Sequence, residues 1–376
     1  MRRQEPSSDD PSRFQTIMRV LFVLPPAKTS HEVETYREIP GGQVVVLGDS
    51  STQSVDISLK VRRLPWVGAP ERWAAAIAWY KGLGTVNLSD IDIVASMEMY
   101  SATSVQAIGL AQRLHVPHVV LVAEILDANP LYQLPPWRLW TAQVVKSLHA
   151  AICLTEAGRR HAISRGVPAG RTVVVAPGVD TKVFRPASVR QPRPIVVYVG
   201  ELRLDKGIRE VISACDLVAT RAGPHFRLTV VGDGPLQHEV EEATHSRSWL
   251  DLRGRIPREQ VPSTLQNSAA FALAPSSRRF WAEQFGYASV EAMACGLPVV
   301  ATRSGAIPDV VPSYNPLVNE HDVNGLADGI TRSLGAEGVD WGNRNREFAR
   351  ARYDIRTQGA ALGDALRSIV SRARRP

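Results

Sequence analysis

The chain is predicted to be an α/β protein of two doubly wound, Rossmann-like parallel-sheet units. Three observations carry that expectation. Short apolar runs alternate with helical patterns in two separate series, one across residues 18–176 and one from residue 195 onward. The runs are apolar on both faces, the pattern of a parallel sheet covered by helices on both sides. A turn- and proline-rich break, from Pro177-Gly178-Val179-Asp180 through Phe184-Arg185-Pro186 to Pro194, parts the two series, and 376 residues are enough for two domains of ordinary size.

Taken in order, residues 1–16 are polar, hold two prolines and lack an apolar stretch, so they read as a disordered tail and not a secretory leader. The run MRVLFVL at 18–24, closed by Pro25-Pro26, reads as the first buried strand. Further strands are expected at 44–47, 91–95, 119–122, 150–154 and 173–176, with helices at 70–82, 101–114, 137–149 and 156–165. These make a first domain at 17–178, followed by a linker at 179–194. The second domain, 195–354, has strand candidates at 195–199, 227–231, 250–252, 270–273 and 298–301, and a long helical pattern at 355–374 ends the chain. No short-period repeat is visible, which excludes a solenoid.

Bulk properties narrow the function. Hydrophobic content of 44% and charged content of 22% are those of a globular protein. No apolar run approaches the ~20 residues that span a bilayer. Cys153, Cys215 and Cys295 are too few and too far apart for a disulfide framework or a metal site, which favours a cytoplasmic setting, with the inner membrane face as the other candidate. His225, His238 and His245 show no ligand spacing with carboxylates, so no metal is expected. The net charge is +7, and all but six of the 44 basic residues are arginine. A codon bias towards arginine explains this better than an anionic partner. No basic tract is interleaved with aromatics, so nucleic acid is not an expected partner.

The chemistry concentrates in the tract from Ala274 to Asp309. Glu283 and Glu291 are separated by seven residues, with Phe285 and Gly286 between them. Eight steps of about 100° do not return to one helix face, so the two carboxylates cannot share one continuous helix and point together. Glu283 therefore belongs in a loop and Glu291 about one turn inside the helix that Gly296 and Pro298 close. A helix N-terminus offers free N–H groups and partial positive charge to a diphosphate, and a carboxylate accepts vicinal hydroxyls. The arrangement suits a nucleotide-sugar. A solvated Glu291 with Glu283 as a helix charge complement is the plain alternative.

This segment, WAEQFGYASVEAMACGLPVVAT, resembles the E-x7-E signature of family 4 glycosyltransferases, and the likeness extends over most of the chain beyond about Pro177. The resemblance implies the GT-B fold, two Rossmann-like domains facing a cleft, with the last helix crossing back to the first domain. It also implies transfer with retention of anomeric configuration. Glu291 would bind the donor ribose, and Glu283 the transferred sugar with the backbone at Phe285 and Gly286. In the turn that follows Tyr198, Gly200 leads to Lys206, which would stabilise the departing diphosphate. The family's usual Arg position here is Glu201, and Arg203 is the candidate substitute. Gly232 and Gly234 resemble the G-x-G-P loop of the donor cleft, with Pro235 read as the first residue of the next helix. Gly254-Arg255-Ile256 resembles the segment that meets the base, and Ser304-Gly305-Ala306 a Gly-Gly turn.

The first half is less family-like. The stretch from Pro25 to His31 lacks the Gly-rich loop many members carry, and Gly41-Gly42 reads as a turn. Glu124 stands where members often have a His; it either serves the acceptor side, together with Glu98, or is a structural strand-end acid. Residues 129–137 resemble a Tyr/Pro-rich loop of polysaccharide-type members. The helix opening at Trp137-Arg138-Leu139-Trp140 is a candidate membrane or lipid contact, with domain core the preferred reading.

The expected function is thus transfer from a nucleotide-sugar, a UDP- or GDP-sugar first, with no further cofactor. The acceptor would be a glycan, a lipid-linked glycan or a small molecule, with cell-envelope or exopolysaccharide synthesis as the setting. The rival readings are a nucleotide-sugar 2-epimerase and a non-catalytic nucleotide-sugar-binding module. A dinucleotide-dependent dehydrogenase is disfavoured because no G-x-G-x-x-G follows the first strand.

Overall fold

The computed structural model of the chain describes residues 17–26, 31–49, 55–63, 77–86, 88–127, 133–187 and 194–375. Four expectations fall wholly or partly outside these residues: the tail at 1–16, the first part of the helix at 70–82, and parts of the stretches at 129–137 and 179–194.

A seven-stranded sheet is built from β1 (Met18–Val23), β2 (Gly42–Gly48), β3 (Ile57–Ser58), β6 (Ile93–Met97), β7 (His118–Val122), β8 (Ala150–Cys153) and β9 (Thr172–Val174). Between β3 and β6 the short strands β4 (Val61–Arg63) and β5 (Ala78–Tyr80) pair antiparallel by themselves. The order in the large sheet is β3-β2-β1-β6-β7-β8-β9, and the pairs are parallel. All five residues of β6 and of β7 are buried, as strands covered on both faces must be.

The helix expected at 70–82 is corrected by β5. Ala78-Trp79-Tyr80 pairs with Val61–Arg63, the Tyr80 hydroxyl donates to the Leu24 carbonyl at 2.7 Å, and its N–H donates to Gln106 Oε1 at 2.9 Å. Two adjacent aromatics favour a pleated, half-buried surface over a helix, and these partners decide the outcome.

The second sheet has six parallel strands: β10 (Ile195–Val199), β11 (Arg227–Val231), β12 (Leu250–Gly254), β13 (Ala270–Leu273), β14 (Val299–Thr302) and β15 (Leu317–Val318). Their order is β12-β11-β10-β13-β14-β15. In both sheets the strand order reverses beside the first strand. That switch point opens a crevice at the carboxyl ends of the strands, where α/β proteins bind ligands.

Helices cover the sheets: α1 (His31–Arg37), α2 (Ala102–Leu114), α3 (Trp137–Ser147) and α4 (Glu156–Ser164) in the first half, then α5 (Ile208–Ala222), α6 (Gln237–Ser246), α7 (Val261–Gln266), α8 (Tyr287–Ala294), α9 (Ile307–Val310), α10 (Val323–Ser333) and α11 (Ala336–Tyr353) in the second. The final helix, α12 (Ile355–Ala373), belongs with the first sheet. Its Leu362, Leu366, Ile369 and Val370 recur at helical spacing and join Val20, Phe22 and Val46 in one buried cluster. The chain therefore crosses between the sheets twice. The crossings lie side by side, with the Val179 N–H donating to the Tyr353 carbonyl at 2.8 Å and the Ile355 N–H to the Val179 carbonyl at 3.1 Å.

Trp137 and Val144 are fully buried, while Leu139 on the opposite face is 65% exposed. One side is core.

Candidate active site

The second switch point lies between β10 and β13, and the sequence-predicted donor residues gather there. The turn after β10 runs from Gly200 to a short 3-10 segment, Leu204–Lys206, that leads into α5. The loop after β13 returns beside it, and the Ser276 N–H donates to the Asp205 carbonyl at 3.0 Å. From this floor the Lys206 ammonium reaches Glu283, with Nζ 2.7 Å from Oε2, although 77 residues separate the two. Both side chains are largely buried, at 21% and 10% exposure, so the pair is not a loose surface contact.

Glu283 sits in the loop before α8, as the spacing requires, and it is held from behind. Its carbonyl accepts the Ala306 N–H at 2.8 Å. Gly305 has φ +55°, and a Cβ there would lie 2.3 Å from that same carbonyl oxygen, so only glycine lets this turn close on Glu283. Gly286 caps α8 from the left-handed region, φ 81° and ψ 55°, and a Cβ there would lie 3.8 Å from Glu283 Cγ, so the positive end of α8 begins beside Glu283. The ring of Phe285 points away from that opening. It is 2% exposed and meets the Tyr287 and Tyr353 rings edge-on at 5.0 and 5.7 Å.

Arg203 is close by, tied on both sides. It contacts Glu201 at 3.1 Å and also pairs with Asp205. Burial disfavours its charge, but these two carboxylates more than offset this and raise its pKa above the ordinary value. Arg203 and Lys206 both lie over the indole of Trp281, at 5.4 and 4.9 Å from the ring centroid. Trp281 is fixed in turn by a bridge to Arg278, whose N–H donates to the Trp281 carbonyl at 2.7 Å. Sequence reading missed Trp281, although an aromatic two residues before the loop acid was a visible signal.

Glu291 lies one turn inside α8, 2% exposed, and pairs with Arg258. The Gly200, Gly232 and Gly234 turns pack together: the Gly200 N–H donates to the Val231 carbonyl at 3.0 Å and the Leu202 N–H to the Asp233 carbonyl at 2.8 Å. Pro235 does not open a helix. The Leu236 N–H is diverted to the Leu202 carbonyl at 2.9 Å, so α6 starts at Gln237 and Pro235 stays in the turn. Arg255 is on the rim, 81% exposed and 3.9 Å from Asp233, while Ile256 is half-buried against the second core.

Across the cleft, the carboxyl ends of β6 and β7 bring Glu98 and Glu124 together. Glu98 is 3% exposed and has a left-handed φ of 65°; its Oε1 accepts the Ala123 N–H at 3.2 Å. Glu124 is 5% exposed and accepts the N–H groups of Ile125 and Leu126, both at 2.8 Å. Tyr100 feels both, its phenol pushed well above its ordinary pKa by burial first and by Glu98 and Glu124 next. His161 on α4 bonds Asp127 at 2.9 Å, and burial lowers its pKa against the pull of Asp127 and Glu124.

Residues 37–183 match the family described as Glycosyltransferase Family 4, and residues 180–351 match the family described as Glycosyl transferases group 1. The chain belongs to the group 1, family 4 glycosyltransferases. It is similar to a phosphatidylinositol N-acetylglucosaminyltransferase component from Arabidopsis thaliana, 30% identical over 49% of this chain and 41% of that one. It is also similar to a GDP-mannose-dependent alpha-(1-6)-phosphatidylinositol dimannoside mannosyltransferase of Mycobacterium tuberculosis, 27% identical over 62% of this chain and 60% of that one. The chain thus spans about half the length of these curated relatives. The crystal structure of Anabaena HepE in complex with UDP shares the fold, with a TM-score of 0.71 and 18% identity over 93% of this chain and all of that one. The two matched regions of this glycosyltransferase meet at 180–183, within the first crossing between its sheets. Both carboxylates of the E-x7-E pair, Lys206 and Arg203 fall in the group 1 region.

Proposed function

We propose that this glycosyltransferase moves a sugar, with retention, from a UDP- or GDP-sugar to a hydroxyl of a glycan or lipid-linked acceptor in cell-envelope or exopolysaccharide synthesis. The observation that carries the reading is the Lys206–Glu283 pair, 2.7 Å apart, beside the N-terminus of α8 at the second switch point. A cation, a carboxylate and the positive end of a helix side by side are what a diphosphate and its sugar would need, and this supports the reading.

In this reading residues 195–354 hold the donor. Glu291 takes the ribose hydroxyls, and Glu283 the transferred sugar alongside the Phe285-Gly286 backbone. When the C1–O bond breaks, its electron pair stays on the diphosphate. Lys206, Arg203 and the α8 N-terminus, rather than a metal, meet the growing charge. An incoming diphosphate competes with Glu283 for Lys206 and with Glu201 and Asp205 for Arg203. The oxocarbenium-like sugar is then attacked by the acceptor hydroxyl on the face the diphosphate leaves, and the hydroxyl proton passes to an oxygen of the departing diphosphate. Glu98 and Glu124 would accept hydroxyls of the acceptor. The GDP-mannose dependence of the mycobacterial relative and the phosphatidylinositol acceptors named for both relatives support the donor and acceptor classes. Leu134 and Leu139, 51% and 65% exposed at the start of α3, offer the apolar contact that a peripheral approach to a lipid-linked acceptor needs.

The test is a thermal-shift screen with UDP, GDP, ADP, dTDP and their common sugars. A ligand of the folded state at ~100 times its Kd raises stability by about 2.7 kcal/mol. The expected result is a shift with UDP or GDP and release of that diphosphate when an acceptor is added. A flat response to all of them would sink the donor reading.

A further inference from the structure

A carboxylate buried as deeply as that of Glu291 holds its charge and its rotamer through partners that favour the ionised form, and here one of them is a cation. The cation comes from outside the E-x7-E tract. Arg258 opens the 3-10 turn Arg258–Gln260 that follows β12, and its Nη2 donates to Glu291 Oε1. The side chain runs from the cleft rim inward, 47% exposed itself while that of Glu291 is 3% exposed. Its guanidinium is also oriented by a second contact, lying over the Phe184 ring at 5.0 Å from the centroid. Phe184 belongs to the first crossing between the sheets and is 5% exposed, so it is a rigid platform. The remaining charges facing Arg258 are Glu259 on its own turn and Glu34 on α1, across the cleft.

We infer that Arg258 is a positioning residue of the donor site, which fixes the charge and orientation of the Glu291 carboxylate that receives the ribose hydroxyls. The inference rests on the reading of Glu291 as the ribose ligand. Its chemistry is specific: a planar guanidinium clamped between an aromatic ring and a carboxylate sets direction, and an ammonium at the same place supplies charge alone.

The experiment measures binding of UDP and GDP, each against its 2′-deoxy counterpart, to the full chain and its variants. Wild type is expected to prefer the ribonucleotide. Glu291→Gln should abolish that preference. Arg258→Ala should weaken ribonucleotide binding roughly tenfold or more, leave the deoxynucleotide nearly unchanged, and so bring the two affinities together. Arg258→Lys should fall between. The double variant Arg258→Ala with Glu291→Gln should lose no more than Glu291→Gln alone, because the two act as one unit. Arg258→Gln keeps a donor beside Glu291 and reads out the same loss of preference if the alanine variant does not fold.

The failures separate. If Glu291→Gln keeps the ribose preference, or wild type binds neither diphosphate or shows no preference, the donor reading itself falls. If Glu291→Gln loses the preference and the Arg258 variants keep it, or bind the ribonucleotide more tightly, Arg258 does not position Glu291 and the inference alone is overturned.

Discussion

At the residue scale, the site is a set of side chains whose backbone is fixed more firmly than their charges. Lys206 and Glu283 neutralise each other across 2.7 Å, so the cation is already oriented and partly desolvated at the floor of the crevice. Such a group acts where charge develops, and removing one preorganised donor of this kind costs roughly 10²–10³ in kcat. Lys206→Ala should therefore lower kcat by that order while the donor KM changes less, as steady-state kinetics would show. Gly305→Ala tests the backbone side of the same argument. A methyl group 2.3 Å from the Glu283 carbonyl forces that loop to move. Activity should fall by at least tenfold, since about 1 Å of misplacement costs on the order of 10²-fold, with the circular dichroism of the sheets unchanged. Wild-type turnover in Lys206→Ala would remove Lys206 from the proposed chemistry, and wild-type turnover in Gly305→Ala would remove Glu283.

At the scale of elements, the sequence was most legible where local chemistry and packing agree. β10, β11 and β13 fall at the predicted residues because the middle of each is buried on both faces, and β10 and β13 are apolar throughout. α8 was legible from the E-x7-E spacing and from Gly296 and Pro298, which close it. Residues 78–80 were not legible as a strand, since nothing local announces that Ala78-Trp79-Tyr80 pairs with Val61–Arg63. Arg258 was invisible for a different reason: a buried glutamate demands a cation, but the sequence offers 38 arginines and no sign of which one arrives.

The cap of α12 illustrates how an element boundary carries stability. Asp354 accepts the Arg356 N–H at 3.0 Å and also binds the Thr181 hydroxyl and the Arg356 guanidinium. Burial alone would raise its pKa, but these bonds outweigh burial and hold it at about 2, against an ordinary 3.8. A depressed carboxylate adds stability that is fully present above the unfolded pKa and is lost as pH falls through the folded one. Asp354→Asn keeps a cap but not the charge. It should lower stability by about 2 kcal/mol at pH 7, and the gap from wild type should close between about pH 4 and pH 2 in urea melts. A pH-independent gap would assign the effect to geometry instead.

At the scale of the whole molecule, two sheets with the same reversal of strand order face each other and are joined by two crossings. The sheets themselves follow from the alternation of strands and helices; how they hold one another does not, because that depends on single side chains far apart in sequence. Asp309 of α9 is such a side chain. Its Oδ2 accepts the Ala157 N–H at 2.6 Å and lies 3.4 Å from Arg160 Nη2, so an acid of the second unit satisfies an orphan donor at the N-terminus of α4 in the first. Close by, Leu154 and Thr155 line a cavity of about 80 Å³ with Phe285 and Tyr353. A carboxylate at a helix N-terminus contributes about 1 kcal/mol, and a loss of that size shifts a two-state equilibrium about fivefold. Asp309→Ala should thus open the cleft, raising the radius of gyration measured by X-ray scattering and lowering kcat several-fold. The Kd for the donor nucleotide should stay at the wild-type value, because Lys206, Glu283 and Glu291 all lie in the second unit. An unchanged radius together with unchanged kcat would mean that the crossings at Val179 and Asp354 hold the units without this contact.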